Sequence, residues 1–131
     1  MTRTLFINAR LLDPASGLDL QGGLLAADGR IADLGPHLSA AAAPEGADIV
    51  DCRGALLCPG LIDMRVFTGE PGTEHRETLR TASQAAAAGG VTTLIVMPNT
   101  EPAIDDVALV DFIERRARDT AAVHVHPMAA L

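Results

Sequence analysis

The stretch Val91-Thr92-Thr93-Leu94-Ile95-Val96-Met97 constrains the chain most. A near-continuous run of apolar and β-branched residues is the pattern of a strand covered on both faces, as in a parallel sheet. Parallel strands need crossover connections, usually helical, and helical segments flank this run. Upstream, Thr73 is placed to cap a helix running to about Ala88, with Glu74 and Glu77 favouring its positive end and Gly89-Gly90 stopping it. Downstream, a loop at 98–102 leads to a second helix, capped near Asp105 and ending near Asp119. Val107, Val110, Ile113 and Ala117 form its apolar stripe, Asp111/Arg115 and Glu114/Arg118 are spaced as i,i+4 pairs, and three Arg are expected in its last turn. Strand candidates precede and follow at 61–67 and 121–125. The succession is βαβαβ, with right-handed crossovers expected.

Residues 1–58 follow a different period. Strand formers at 5–12 meet the turn cluster Asp13-Pro14-Ala15-Ser16-Gly17. A second run at 23–27 meets Asp28-Gly29 and continues through Leu34, a hairpin signal because a type I′ turn needs positive φ at both central residues. An Ala-rich connection at 35–46, with room for one short helical turn, leads to further strand candidates at 47–52 and 55–58 around Arg53-Gly54. This opening reads as a small all-β unit of four or five short strands.

Composition removes several function classes. There are 17 acidic residues against 10 basic ones, all Arg and scattered singly except at Arg115-Arg116, so nothing tracks a phosphate backbone and no nucleic-acid partner is expected. Aromatics are 2%, all Phe, too few for base-stacking platforms. Cys52 and Cys58 lack a CxxC or a paired His, and fit buried thiols in a reducing compartment better than a disulfide or zinc framework. No apolar run reaches the ~18 residues of a membrane span, and the first residues are too broken by Asn8, Arg10 and Asp13 for a signal peptide. The expected location is cytoplasmic, with no membrane partner. A closed (β/α)₈ barrel takes about 250 residues. Either a smaller open sheet forms, or the 131 residues are the opening portion of a larger protein; the apolar, unpunctuated 127–131 favours the second.

Function in such folds collects at the carboxyl ends of parallel strands, here Thr68–Gly72, Pro98-Asn99-Thr100 and His126-Pro127. Cys58-Pro59-Gly60-Leu61-Ile62-Asp63, Glu70-Pro71-Gly72, His75-Arg76-Glu77, Ala88-Gly89-Gly90-Val91-Thr92-Thr93 and Met97-Pro98-Asn99-Thr100-Glu101-Pro102 together resemble the opening of dihydroorotase, in the amidohydrolase superfamily. The resemblance runs through essentially the whole chain. It implies an α/β fold, the opening part of a (β/α)₈ TIM-type barrel preceded by part of a small β-sandwich. Residues 1–58 would belong to the sandwich, and 59–131 would form the first βαβαβ of the barrel. It also implies one or two zinc ions and hydrolysis or closure of a cyclic amide in pyrimidine synthesis.

The departures matter equally. The family typically has His-x-His at the end of the first barrel strand, then two residues later an Arg that holds the substrate carboxylate; those positions are Arg65, Phe67 and Gly69 here. Residues two apart on a strand share a face, so the two imidazoles would hold one metal. Phe67 has no donor atom, the Arg65 guanidinium stays charged and repels a cation, and Gly69 offers no side chain. Of the family's substrate contacts in this stretch Asn99 remains, with a turn role after Pro98 the competing reading. The expectation is a catalytically inactive dihydroorotase-like subunit or N-terminal fragment, with no catalytic residue, no metal ligand and no cofactor in this chain. Aspartate transcarbamoylase or the remainder of a longer chain is the partner the resemblance implies, and homo-oligomerisation stays open. The alternative is part of an active zinc-dependent dihydroorotase or related cyclic amidohydrolase with a rearranged metal site.

Three further features are weighed against structural roles. His124-Val125-His126 is a second His-x-His, on the third strand, where the family has no ligand pair; an incidental role is favoured. His75, placed at a helix start, reads as a solvated or capping residue. Asp63 and Glu70 could serve as acid or base groups, although Asp63 reads better as a buried hydrogen-bonding residue near its strand.

Overall fold

The computed structural model describes residues 2–130, and the chain divides into two compact units, Met1–Pro59 and Gly60–Leu131. The described residues of the first are all β apart from a 3₁₀ turn at Ala40–Ala42. Strands β1 (Arg3–Asp13), β2 (Leu18–Ala27), β3 (Arg30–Gly35), β4 (Asp48–Asp51) and β5 (Leu56–Leu57) form one sheet, in the order β3-β2-β1-β4 with β5 also on β1. Asp28 and Gly29 both have positive φ, 49° and 76°, and Ala27 pairs with Arg30, so the turn signal read from sequence forms the β2–β3 hairpin. Along β1 the alternate residues Leu5, Ile7, Ala9 and Leu11 are buried, the period-two pattern of a sheet with one covered face. Leu38 packs against Leu5 and Ile7 from the 35–46 connection.

β1 pairs antiparallel with β2 but parallel with β4, from Thr4↔Asp48 to Ile7↔Asp51. A register shift between Phe6 and Ala9 places Asn8 at φ 54°, where its amide donates to Asp51 Oδ1 at 2.9 Å. The bulge thus ties β1 to the end of β4.

The second unit is β6 (Leu61–Val66), α1 (Leu79–Ala88), β7 (Val91–Val96), α2 (Val107–Thr120) and β8 (His124–Pro127). The three strands are parallel, in the order β6-β7-β8. Leu94, Val96 and Val125 are buried with Leu79, Ile104, Ile113 and Ala117 in one core, to which Val66 adds a half-buried side chain. Ser83, fully buried on α1, donates to Arg80 O and accepts from Ala122 N at 3.0 Å, fastening α1 to the chain entering β8.

Several element expectations shift. α1 begins at Leu79, not near Thr73: Thr78 is the cap, accepting from Thr81 N, while Thr81 Oγ1 accepts from Thr78 N in a reciprocal box. Thr73 instead closes a turn, its N–H and hydroxyl both donating to Gly69 O at 2.6 and 2.8 Å. His75, Glu74 and Glu77 therefore precede the helix. The α2 cap is Asp106, one residue later than expected, accepting from Leu109 N at 2.8 Å. Val107, the first helical residue, is exposed, so the stripe is carried by Val110, Ile113 and Ala117. Neither Asp111/Arg115 nor Glu114/Arg118 is among the ion pairs of the described residues, and because α2 runs on to Thr120 its last turn holds Arg118 rather than three Arg. The last strand starts at His124, not Ala121, because Ala121 caps α2 through its N–H to Ala117 O.

Candidate functional site at the carboxyl ends of the parallel strands

Arg65 is the penultimate residue of β6 and Phe67 follows its last, so both stand at the strand's carboxyl end. Val66 between them packs into the helix-side core, and Arg65 and Phe67 are exposed, consistent with alternation placing both on the opposite face. The strand is irregular between Asp63 and Val66; there Asp63 Oδ1 accepts from Arg65 N at 3.0 Å. Asp63 is thus a hydrogen-bonding residue near the strand, as read, but it is exposed rather than buried.

Gly69 explains its own lack of a side chain. It has φ +70°, and a Cβ there would come within 2.8 Å of Thr73 Oγ1 and 2.9 Å of Thr73 O. The loop has closed around the missing side chain, so an Arg at this position would have to break the Thr73 turn. Further along, Gly72 (φ +104°) lies against the Glu101 backbone, and Glu101 N donates to Pro71 O at 3.1 Å. Pro71-Gly72 and Glu101 are packed on each other, which gives these motif positions a structural reason. Glu74 Oε1 accepts from Gly72 N, and that N–H holds its carboxyl below the usual range.

Glu70 is the buried charge of this region. Its Oε2 accepts from Leu79 N, the first N–H of α1, at 2.9 Å, and its Oε1 accepts from Arg116 Nε on α2 at 2.7 Å. Both oxygens are committed to holding the β6 loop against two helices, which leaves this carboxylate poorly placed as an acid or base. Sequence marked Arg116 only as half of the Arg115-Arg116 pair and gave it no partner, because that partner is 46 positions away.

Asn99 lies exposed in the loop after β7, beside buried Thr100, whose hydroxyl donates to Pro102 O. On β8, His124 and His126 are exposed on either side of buried Val125 and so share a face. The edge of β8, with the residues that lead into it, borders an open groove of about 750 Å³ that Glu114 and Arg118 of α2 also line. His75 is exposed in the turns before α1. Cys58 is exposed and Cys52 half-buried, both free thiols, which corrects the expectation that both are buried. No group of three or more His, Cys, Asp or Glu able to hold a metal occurs among the described residues. No helix among them is long and apolar enough to cross a membrane.

A family model described as dihydro-orotase-like matches residues 54–131. The chain belongs to this family. Curated relatives agree over nearly the whole chain. The dihydroorotase of Wolbachia sp. subsp. Brugia malayi is 46% identical over 121 residues, covering 92% of this chain and 27% of the relative. That of Ehrlichia chaffeensis is 45% identical over 127 residues, covering 96% and 28%. The dihydroorotase-like chain therefore spans little more than a quarter of the length of these relatives.

Solved structures agree on the fold. An L-hydantoinase (dihydropyrimidinase) from Arthrobacter aurescens superposes with a TM-score of 0.85 at 23% identity, covering 98% of this chain and 28% of that one. A D-hydantoinase (dihydropyrimidinase) from Thermus sp. gives 0.75 at 25% identity, covering 98% and 27%. The family model covers residues 54–131, and the curated relatives extend the dihydroorotase-like match to 92–96% of the chain.

Proposed function

We propose that this dihydroorotase-like chain is part of a catalytically inactive family member, a polypeptide that keeps the family's architecture without its hydrolytic metal site. In this reading, residues 1–58 are part of a β-sandwich domain, and 59–131 are the opening βαβαβ of a (β/α)₈ barrel whose later strands cover the exposed Leu61, Ile62 and Met64 of β6. The observation that carries the proposal is the pair Arg65 and Phe67 at the carboxyl end of β6, where the resemblance places the two imidazole ligands.

Zinc does not fit the residues present there. A hydrocarbon ring donates no lone pair, and a guanidinium brings a fixed positive charge to within coordination range of a cation. Gly69, tightly enclosed by Thr73, supplies no group for a substrate carboxylate. Lowering the pKa of water towards neutrality depends on close metal coordination, so the usual nucleophile of this chemistry is not available through these positions. Asn99 is the one retained candidate for substrate binding, exposed on the loop after β7. The role left to such a protein is through protein contacts in the cytoplasm, with aspartate transcarbamoylase the partner class that the family suggests.

The test is metal analysis and dihydroorotate hydrolysis by the full gene product. The expected result is far less than one zinc per chain and no turnover above background, with co-purification of a transcarbamoylase. Stoichiometric zinc, together with turnover that a chelator abolishes, would overturn the proposal. That outcome would instead favour an active enzyme with a rearranged site, for which the exposed, same-face pair His124 and His126 is the starting point.

A further inference from the structure

The sheet face turned away from the helices carries a row of cationic and imidazole groups where the family's metal would sit. Val66, Val96 and Pro127 stand in one row of the parallel ladder, with Val66 and Val96 packed into the helix-side core. One residue earlier on each strand come Arg65, Ile95 and His126, of which Ile95 and His126 are register partners. His124, paired with Thr93, lies two residues deeper on the same face. Arg65, His124 and His126 are exposed. None of the three side chains makes a hydrogen bond or ion pair among the described residues; Asp63 Oδ1 accepts from the backbone N–H of Arg65.

Adjacent strands lie about 4.8 Å apart, so Arg65 and His126 flank the Ile95 backbone across about 10 Å. A guanidinium extended over Ile95 closes most of that distance. It presents two parallel N–H groups in a fork that matches carboxylate or phosphate oxygens. A ring N–H of His126 supplies a further donor from the other side. The nearby acid, Asp63, already spends Oδ1 on the Arg65 N–H.

We propose that this row is an anion site, taking a small carboxylate- or phosphate-bearing molecule through a bidentate contact to Arg65 and a hydrogen bond from His126. The proposal rests on the reading that positions 65 and 67 no longer hold zinc: the substitution exchanges cation binding for anion binding on the same face.

The experiment titrates the full gene product calorimetrically with succinate and, separately, with inorganic phosphate, on a sample whose zinc content is measured alongside. Saturable binding of at least one probe is expected, and which probe binds identifies the oxygen-bearing group. Arg65→Gln should weaken it about tenfold or more, the scale of a lost charge-assisted bidentate contact. His126→Gln should weaken it severalfold, and Arg80→Gln, on the exposed side of α1, should not. Should Arg65→Gln melt early, Arg65→Lys keeps the charge but loses the fork, and must still bind more weakly than the parent. Failure of both probes to saturate, or parent-like binding by the Arg65 variants, would overturn the proposal. A zinc-free sample that binds neither anion refutes this site alone, whereas a zinc-loaded one refutes the reading beneath it.

Discussion

Glu70 is 2% exposed, and a buried carboxylate is costly unless its oxygens are paired. Here both are occupied, one by the Leu79 N–H and one by Arg116. Arg116 is 47% exposed, so solvent screens much of the attraction. Glu70→Gln keeps an acceptor for the Leu79 N–H and gives Arg116 a neutral partner, with an expected loss of about 1 kcal/mol. Glu70→Leu removes both acceptors and strands the N–H, for an expected loss of about 2–4 kcal/mol. Urea unfolding of the two variants measures the difference, and a Leu variant within about 0.5 kcal/mol of the parent would show that the carboxylate holds nothing together. Sequence could flag Glu70 only as a free acid, because its partner is fixed by how α2 packs and not by any local spacing. Arg65, Phe67 and Gly69 were legible as departures, but the closure of the loop on Gly69 was not: it depends on a positive φ and on Thr73 turning back.

At the scale of elements, the start of α1 separates two threonines that look alike in sequence. Thr73 is followed by acidic residues at 74 and 77, the usual mark of a first helical turn, yet its hydroxyl is spent on Gly69 O. Thr78 is the cap, in a box completed by Thr81 where Glu or Gln is more common. Thr78→Ala should therefore cost about 1 kcal/mol and speed amide exchange in the first turn of α1. Thr73→Ala should loosen the 69–73 turn and leave that helical turn protected. If exchange at the first turn of α1 responds to Thr73 and not to Thr78, the cap is misassigned. The Asp28-Gly29 hairpin was fully legible because its turn chemistry is local, a pair of positive φ angles that Asp and Gly accept. Strand β8 was displaced by three residues for the opposite reason. Ala121 and Ala122 suit a strand or a helix end equally, and only the bonds from Ala121 N to Ala117 O and from Ala122 N to Ser83 Oγ decide between them.

Across the whole molecule, the formal charge of -7 is distributed unevenly in its effect. Four carboxyls of the first unit are held below their ordinary range: Asp13 by the Ser16 hydroxyl, Asp19 by the Arg10 guanidinium, Asp33 by His37, and Asp51 by the Asn8 amide. In the second unit Glu74 is held down by the Gly72 N–H. A carboxyl with a lower pKa folded than unfolded leaves the unfolded chain binding more protons in acid. Its stabilisation is therefore present above the unfolded pKa and lost as pH falls through the folded one. Asp19, Asp33, Asp51 and Glu74 are exposed and Asp13 is half-buried, so each contributes little alone. Four on one five-stranded sheet should nevertheless outweigh one on the other unit. As pH falls below about 4, the ordinary Asp and Glu range, amide protection in β1 and β2 should decay before that in β7. Hydrogen exchange followed from pH 5 to pH 3 reads both units in one sample, after correction for the intrinsic pH dependence of exchange. Protection lost first in β7, or lost together in all three strands, would mean that these carboxyl contacts do not set the acid limit of the first unit.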